Sequence, residues 1–223
     1  VAFATPAGAV LQISADINGT SFTCADQAAC DTNAAVGQLA IANQTIGGVE
    51  FLGSAQTQVI GPTNSLNTSS FQVINDNAGA VPITIAISGT NFAGPVAAFT
   101  ASGSGTFQSA IGSNVTMTFF GDAANTQGAT SPTDLPGTLL ATITHAATLA
   151  TDAFADNANG PFAAAGLYSM SLGTVGTLTA GGSLVGRSQA IVTEQVVPEP
   201  ASLGLLGVGL LGLGYVARRR QAT

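Results

Sequence analysis

Lysine and tryptophan are absent from the 223 residues, and histidine occurs once, at His145. Without lysine there is no Schiff-base amine and no phosphate-loop cation, and one histidine cannot form the His-Glu-x-x-His pair of a zinc protease. Basic residues are nearly missing too. Arg187 is the only one before residue 198, against ten acids in the same stretch, a balance that repels nucleic acid and anionic lipid headgroups. Aromatic platforms for stacking sugar rings are scarce, since Tyr168 is the one tyrosine before the C-terminal tail and the eleven phenylalanines read as core. Two cysteines are too few for a cysteine-ligated metal. Cys24 and Cys30 lie close enough to form a local disulfide in an oxidising compartment. Closing so small a loop is worth roughly 2 kcal/mol, enough to pin a turn but not to hold a fold.

What is present is alternation. Leu11, Ile13, Ala15 and Ile17 take turns with Gln12, Ser14 and Asp16, and Asn18-Gly19 supplies the positive-φ pair of a two-residue hairpin turn before residues 20–24. Ile83, Ile85 and Ile87 repeat the pattern, as do Val115, Met117 and Phe119. Further strands are expected at 39–43, 49–52, 57–60, 70–75, 96–100, 139–145, 167–172 and 188–196. Many short strands between Gly, Asn, Asp and Pro turns predict an all-β fold, a β-sandwich or jelly-roll. Two polar loops are expected at 121–137 and 151–161, with a short helix in the Ala- and Leu-rich segment from His145 to Phe154.

Candidate chemistry is sparse. His145 shares the apolar face of its strand, which places it in the core or at a strand end, bonded to backbone. A Ser-His-Asp triad would need it, yet no Gly-x-Ser-x-Gly turn is present, so catalysis is disfavoured and a hydrolase ranks third among the functional readings. Calcium is the one metal with candidate ligands, Asp122, Asp134, Asp152 and Asp156, which fall in the two polar loops. Their spacing is not that of an EF-hand, and aspartates in turns commonly bond their own backbone. Glu50 and Glu194 form a notional glycosidase pair without a recognisable setting. Arg187 reads as a salt-bridged or solvated residue.

The two ends carry addresses. Ala7 and Ala9 flank Gly8 in the small-x-small form that signal peptidase accepts, so residues 1–9 read as the remnant of a signal peptide, with an Ala-rich disordered segment as the alternative. At the other end Val197-Pro198-Glu199-Pro200 precedes an uncharged apolar run, 201–217, and then Arg218-Arg219-Arg220. As a helix the run would span roughly 26 Å, close to a bilayer's hydrocarbon thickness, with the arginines on the cytoplasmic side. The two prolines hold the intervening backbone extended, as a protease cleft requires. This tail, 197–223, resembles the PEP-CTERM sorting signal of Gram-negative bacteria. The resemblance implies an exported precursor held transiently in the inner membrane by a single transmembrane helix until an exosortase cuts near Pro-Glu-Pro.

By the same resemblance, proteins with this tail accompany exopolysaccharide production. The expected function of the ectodomain, 10–196, is therefore that of a non-catalytic matrix or biofilm protein at the cell surface, bound to exopolysaccharide or to itself. The runner-up is a cell-surface binding module, a calcium-dependent adhesin or glycan binder.

Overall fold

The computed structural model describes residues 10–194, and within them every regular element is a strand. Alternating apolar residues define the early ones: β1 (Leu11–Ile17), β2 (Thr20–Ala25), β3 (Gln38–Ile46) and β4 (Val49–Ile60). Then come β5 (Thr63–Asn75), β6 (Val81–Phe92), β7 (Val96–Gln108) and β8 (Asn114–Asp122). The last four are β9 (Thr138–Ala146), β10 (Thr151–Ala164), β11 (Tyr168–Leu178) and β12 (Ser183–Glu194). Asn18 and Gly19 both take positive φ, 53° and 77°, so the β1–β2 hairpin closes as its sequence predicts.

Two six-stranded antiparallel sheets result, one ordered β2-β1-β6-β11-β8-β9 and the other β10-β7-β12-β5-β4-β3. Within them the pairs β8·β9, β7·β10, β6·β11 and β5·β12 are nested like a long ribbon folded at its middle and wrapped around itself. That nesting is the jelly-roll, here with one hairpin added to each sheet. The all-β sandwich expectation therefore holds.

Two local expectations do not. No helix forms between His145 and Phe154, and residues 151–161 are not a loop but most of β10, a 14-residue edge strand. Its Ala, Asn and Asp have little intrinsic preference for sheet, yet ladder bonding to β7 from Thr151 to Pro161 overrides that preference. The short strands expected at 49–52 and 57–60 are likewise one strand, β4, carried through by pairing with β5.

The core between the sheets is built from inward residues such as Ile13, Phe51, Leu66, Ile85, Phe107, Met117, Phe119 and Leu172. Two buried amides stitch it. Asn64 on β5 donates to the Tyr168 hydroxyl on β11 (2.8 Å) and to the Ala93 carbonyl, and burial pushes the Tyr168 phenol up to about 12. Asn75 donates to the carbonyls of Gly79, Leu178 and Thr179.

The outer faces differ. Residues 123–137 fold over the outside of the first sheet: Gly128 donates its N–H to Ser88 Oγ, and Leu135 lies over Gly173, where a Cβ would be 2.6 Å from its Cδ1. Ser88 and Ser171 are consequently buried although they point away from the core, and Ser14 is buried on the same face with its hydroxyl against Thr23 and the Phe22 carbonyl of β2. The outside of the second sheet has no such cover among the described residues.

Candidate functional site

The uncovered sheet has an interruption at its centre. Along β5 and β12, Phe71 faces Gly186 and the next aligned pair is Asn67 with Gln189, so Thr68, Ser69 and Ser70 stand opposite only Arg187 and Ser188. On the β4 side Ser54 faces Ser70 and Ala55 faces Thr68, which leaves Ser69 as the extra residue. Thr68 turns inward and fixes this bulge. Its Oγ1 accepts from the Ser188 N–H at 2.6 Å and lies 3.2 Å from the Ser188 carbonyl. Gly186 is required beside it, because a Cβ there would sit 2.7 Å from Phe71 Cζ. Bulges re-aim side chains, and this one opens two depressions with Arg187 between them.

One depression, of about 300 Å³, is lined by Ser69, Ser70, Ser104, Thr106, Val185 and Arg187 among others. The other, of about 350 Å³, is lined by Gln56, Gln58, Asn67, Ser69, Gln189 and Arg187, with Thr68 at its floor. Register extends the second into a row. Gln38 faces Gln56, Gln56 faces Asn67, Asn67 faces Gln189, Gln189 faces Ser102 and Ser102 faces Asn157, one residue from each of six strands. Five inter-strand steps make the row roughly 24 Å long. Among the described residues the side chains of Gln56, Gln58 and Gln189 make no hydrogen bond within the chain, and Arg187 has no carboxylate within ion-pair distance. No acid of the described residues lines either depression.

The residues singled out from the sequence lie elsewhere. His145 does not bond to backbone: its Nε2 meets Asp152 Oδ1 at 3.0 Å, and its ring stacks on Phe154 at 4.7 Å and on Phe107 at 6.1 Å. Asp152 also accepts from the N–H groups of Thr148 and Leu149, and those bonds, Thr148 foremost, hold its carboxyl below the usual range. The pair thus staples β9 to β10 across the edge of the sandwich.

The four calcium candidates do not converge. Among the described residues no group of three or more metal-ligating side chains comes together. Asp122 accepts from Ala124 and Thr126, and although burial works against its charge, these bonds lower its pKa. Asp134 accepts from the Thr130 N–H and hydroxyl, and Asp156 is exposed on β10. Three of the four are therefore used by their own turns. Glu50 and Glu194 are separated by nearly the length of the second sheet, roughly 35 Å by strand rise, far too distant for a glycosidase pair. Cys24 and Cys30 form the expected disulfide, with Cα atoms 5.9 Å apart.

The signal-peptidase residues Ala7 and Ala9, the sorting residues Val197 to Pro200, the apolar run 201–217 and Arg218, Arg219 and Arg220 lie outside the described residues. Comparison with known families reaches the tail. Residues 196–221 match the model of the PEP-CTERM protein-sorting motif. The chain carries that sorting motif. The PEP-CTERM match begins two residues beyond the end of β12, so the motif follows the sandwich with almost no linker.

No curated protein matches the sequence. Among solved structures, TmCBM61 in complex with β-1,4-galactotriose is similar at 9% identity over 66% of this chain and 88% of that chain, with TM-score 0.32. The K3 cleaved adhesin domain of Lys-gingipain from Porphyromonas gingivalis w83 shows 8% identity over 64% and 74%, with TM-score 0.30. The C-terminal CBM6 of LamC, a laminarinase of Zobellia galactanivorans, shows 11% over 60% and 86%, with TM-score 0.25. Likenesses of this size carry no ligand and no function across.

Proposed function

We propose that this PEP-CTERM protein is an exosortase substrate whose sandwich serves outside the cell as a non-catalytic component of the extracellular polymer. The observation that carries the reading is the sorting motif at 196–221 placed directly behind β12. In this reading the apolar run 201–217 crosses the inner membrane, Arg218 to Arg220 stay on the cytoplasmic side, and cleavage near Pro198-Glu199-Pro200 frees the ectodomain. The non-catalytic part is supported by His145, whose hydrogen bond within the described residues goes to Asp152 and to no hydroxyl. Support for polymer binding over edge-to-edge self-association comes from β10. This long edge strand presents Asp152, Asp156 and Pro161 and has a register shift, all features that oppose pairing with another chain.

A second reading, a cell-surface glycan-binding module, is favoured by the uncovered face with its unpartnered amides and Arg187. Both readings share export and processing. Mass spectrometry of the material released by the source cells should find no peptide from residues 201–223, and changing Pro198, Glu199 and Pro200 to Ala, Gln and Ala should keep the chain in the inner membrane. Released protein that retains the tail would overturn the processing. Co-sedimentation with extracted extracellular polymer tests the rest, and a turnover lost in folded His145→Ala protein would overturn the non-catalytic assignment.

A further inference from the structure

The reading above leaves the polymer's chemistry unspecified, and the uncovered face supplies it. Arg187 is the sole cation of residues 1–197 in a chain of net charge −7, and it is exposed, with no acid of the described residues within ion-pair distance. A guanidinium presents a planar fork of donors that matches a carboxylate with two parallel hydrogen bonds. Around it the lining is neutral, with Gln56, Asn67 and Gln189 offering hydrogen bonds on one side and Ser69, Ser104 and Thr106 beside the apolar Ala153, Phe154 and Val185 on the other. Each amide offers both donors and an acceptor, which is what a run of sugar hydroxyls requires.

The bulge shows that this arrangement is built into the backbone. Without Ser69 as the extra residue, β5 and β12 would pair continuously through the centre of the sheet. With it, Thr68 is bonded to Ser188 and Arg187 stands between two depressions. No acid of the described residues lines the two depressions, so a uronate carboxylate can reach Arg187 without meeting a like charge there.

We propose that the outer face of the β10-β7-β12-β5-β4-β3 sheet binds a carboxylate-bearing polysaccharide, with Arg187 taking a uronate carboxylate and the Gln56–Asn67–Gln189 row taking hydroxyls. This inference rests on the reading that the protein associates with extracellular polymer. Its test uses the full chain in non-ionic detergent, titrated calorimetrically with polygalacturonate, with the fully methyl-esterified polymer and with neutral dextran. The wild type binds polygalacturonate, and Arg187→Gln weakens that binding about tenfold or more without altering the thermal melt. The methyl ester binds the wild type as weakly as polygalacturonate binds the variant. Gln189→Ala with Gln56→Ala weakens binding severalfold while leaving its dependence on the carboxylate intact.

Failure of the wild type to bind polygalacturonate, equal binding by Arg187→Gln, or equal binding of the methyl ester would each overturn the site. If the wild type still co-sediments with extracted polymer in any of those cases, the proposed function stands and only this site is wrong. If Arg187-dependent binding is found but co-sedimentation is not, the site stands and the matrix assignment falls.

Discussion

The two outer faces of the sandwich are made of the same kinds of residue and have opposite fates. On the first sheet, Ser88 and Ser171 are sealed beneath residues 123–137, and Ser88 Oγ accepts from both Gly128 N–H and the Ser171 hydroxyl. On the second sheet, Gln56 and Gln189 face outward with no hydrogen-bond partner among the described residues. Polar side chains on a sheet therefore do not announce their role. A loop that brings its own donors turns one set into structure, and a bulge that opens a depression leaves the other set available to a ligand.

The sharpest test of that contrast places one residue type on both faces. Gly173→Val should cost roughly 2 kcal/mol, because its side chain would begin against Thr118 Oγ1 and 2.6 Å from Leu135 Cδ1, so that Thr118 must shift and the covering loop must lift. Gln189→Val, on the open face, should change stability by no more than about 0.5 kcal/mol. Urea melts of the two variants check this, and equal losses would mean that the loop does not seal its face.

A comparable loss is expected where the sheets are joined between β2 and β3. Cys24→Ser with Cys30→Ser should cost roughly 2 kcal/mol by loop entropy and leave the protein folded. Thiol titration of the native wild type should find no free sulfhydryl.

Acid should act on the sealed side and on the turns before the open face. Burial works against the charge of Asp31, but the N–H groups of Ala40, Asn33 and Gln27 from which it accepts hold it, like Asp122 and Asp152, below the ordinary 3.8 in the folded chain. The stability they contribute is then complete above that pH and is lost as pH falls through their lower folded values. Melts at about pH 5 and about pH 3 should show this, and Asp122→Asn should reduce the difference. A pH-independent melt across that interval would contradict the assignment of these carboxylates as staples.

Much of this molecule was legible in its residues, and the limits have a physical cause. The Leu11 to Ile17 alternation and the Asn18-Gly19 turn are local signals, so β1 and β2 could be placed from sequence, as could the Cys24–Cys30 bridge. Residues 151–164 carry no local signal for a strand, since Ala, Asn and Asp become β10 only through pairing with β7, whose Gly105 leaves room for the Phe154 ring. The aspartates were visible but their roles were not, because a carboxylate that bonds an N–H two to four residues away in its own turn reads the same as a metal ligand. The row through Gln38, Gln56, Asn67 and Gln189 was invisible. Its members are neighbours only through strand register and a one-residue bulge, neither of which a linear pattern encodes.

The nested pairing has a further meaning in time. β12 is the last strand of the sandwich in the chain, yet it lies in the interior of its sheet, between β7 and β5. A chain that emerges N-terminus first therefore presents two unpaired strand edges until residues 183–194 arrive, and pairing across so many intervening residues is slow. Those residues are followed almost at once by the sorting motif. The order of the strands thus makes completion of the second sheet coincide with the arrival of the sorting motif.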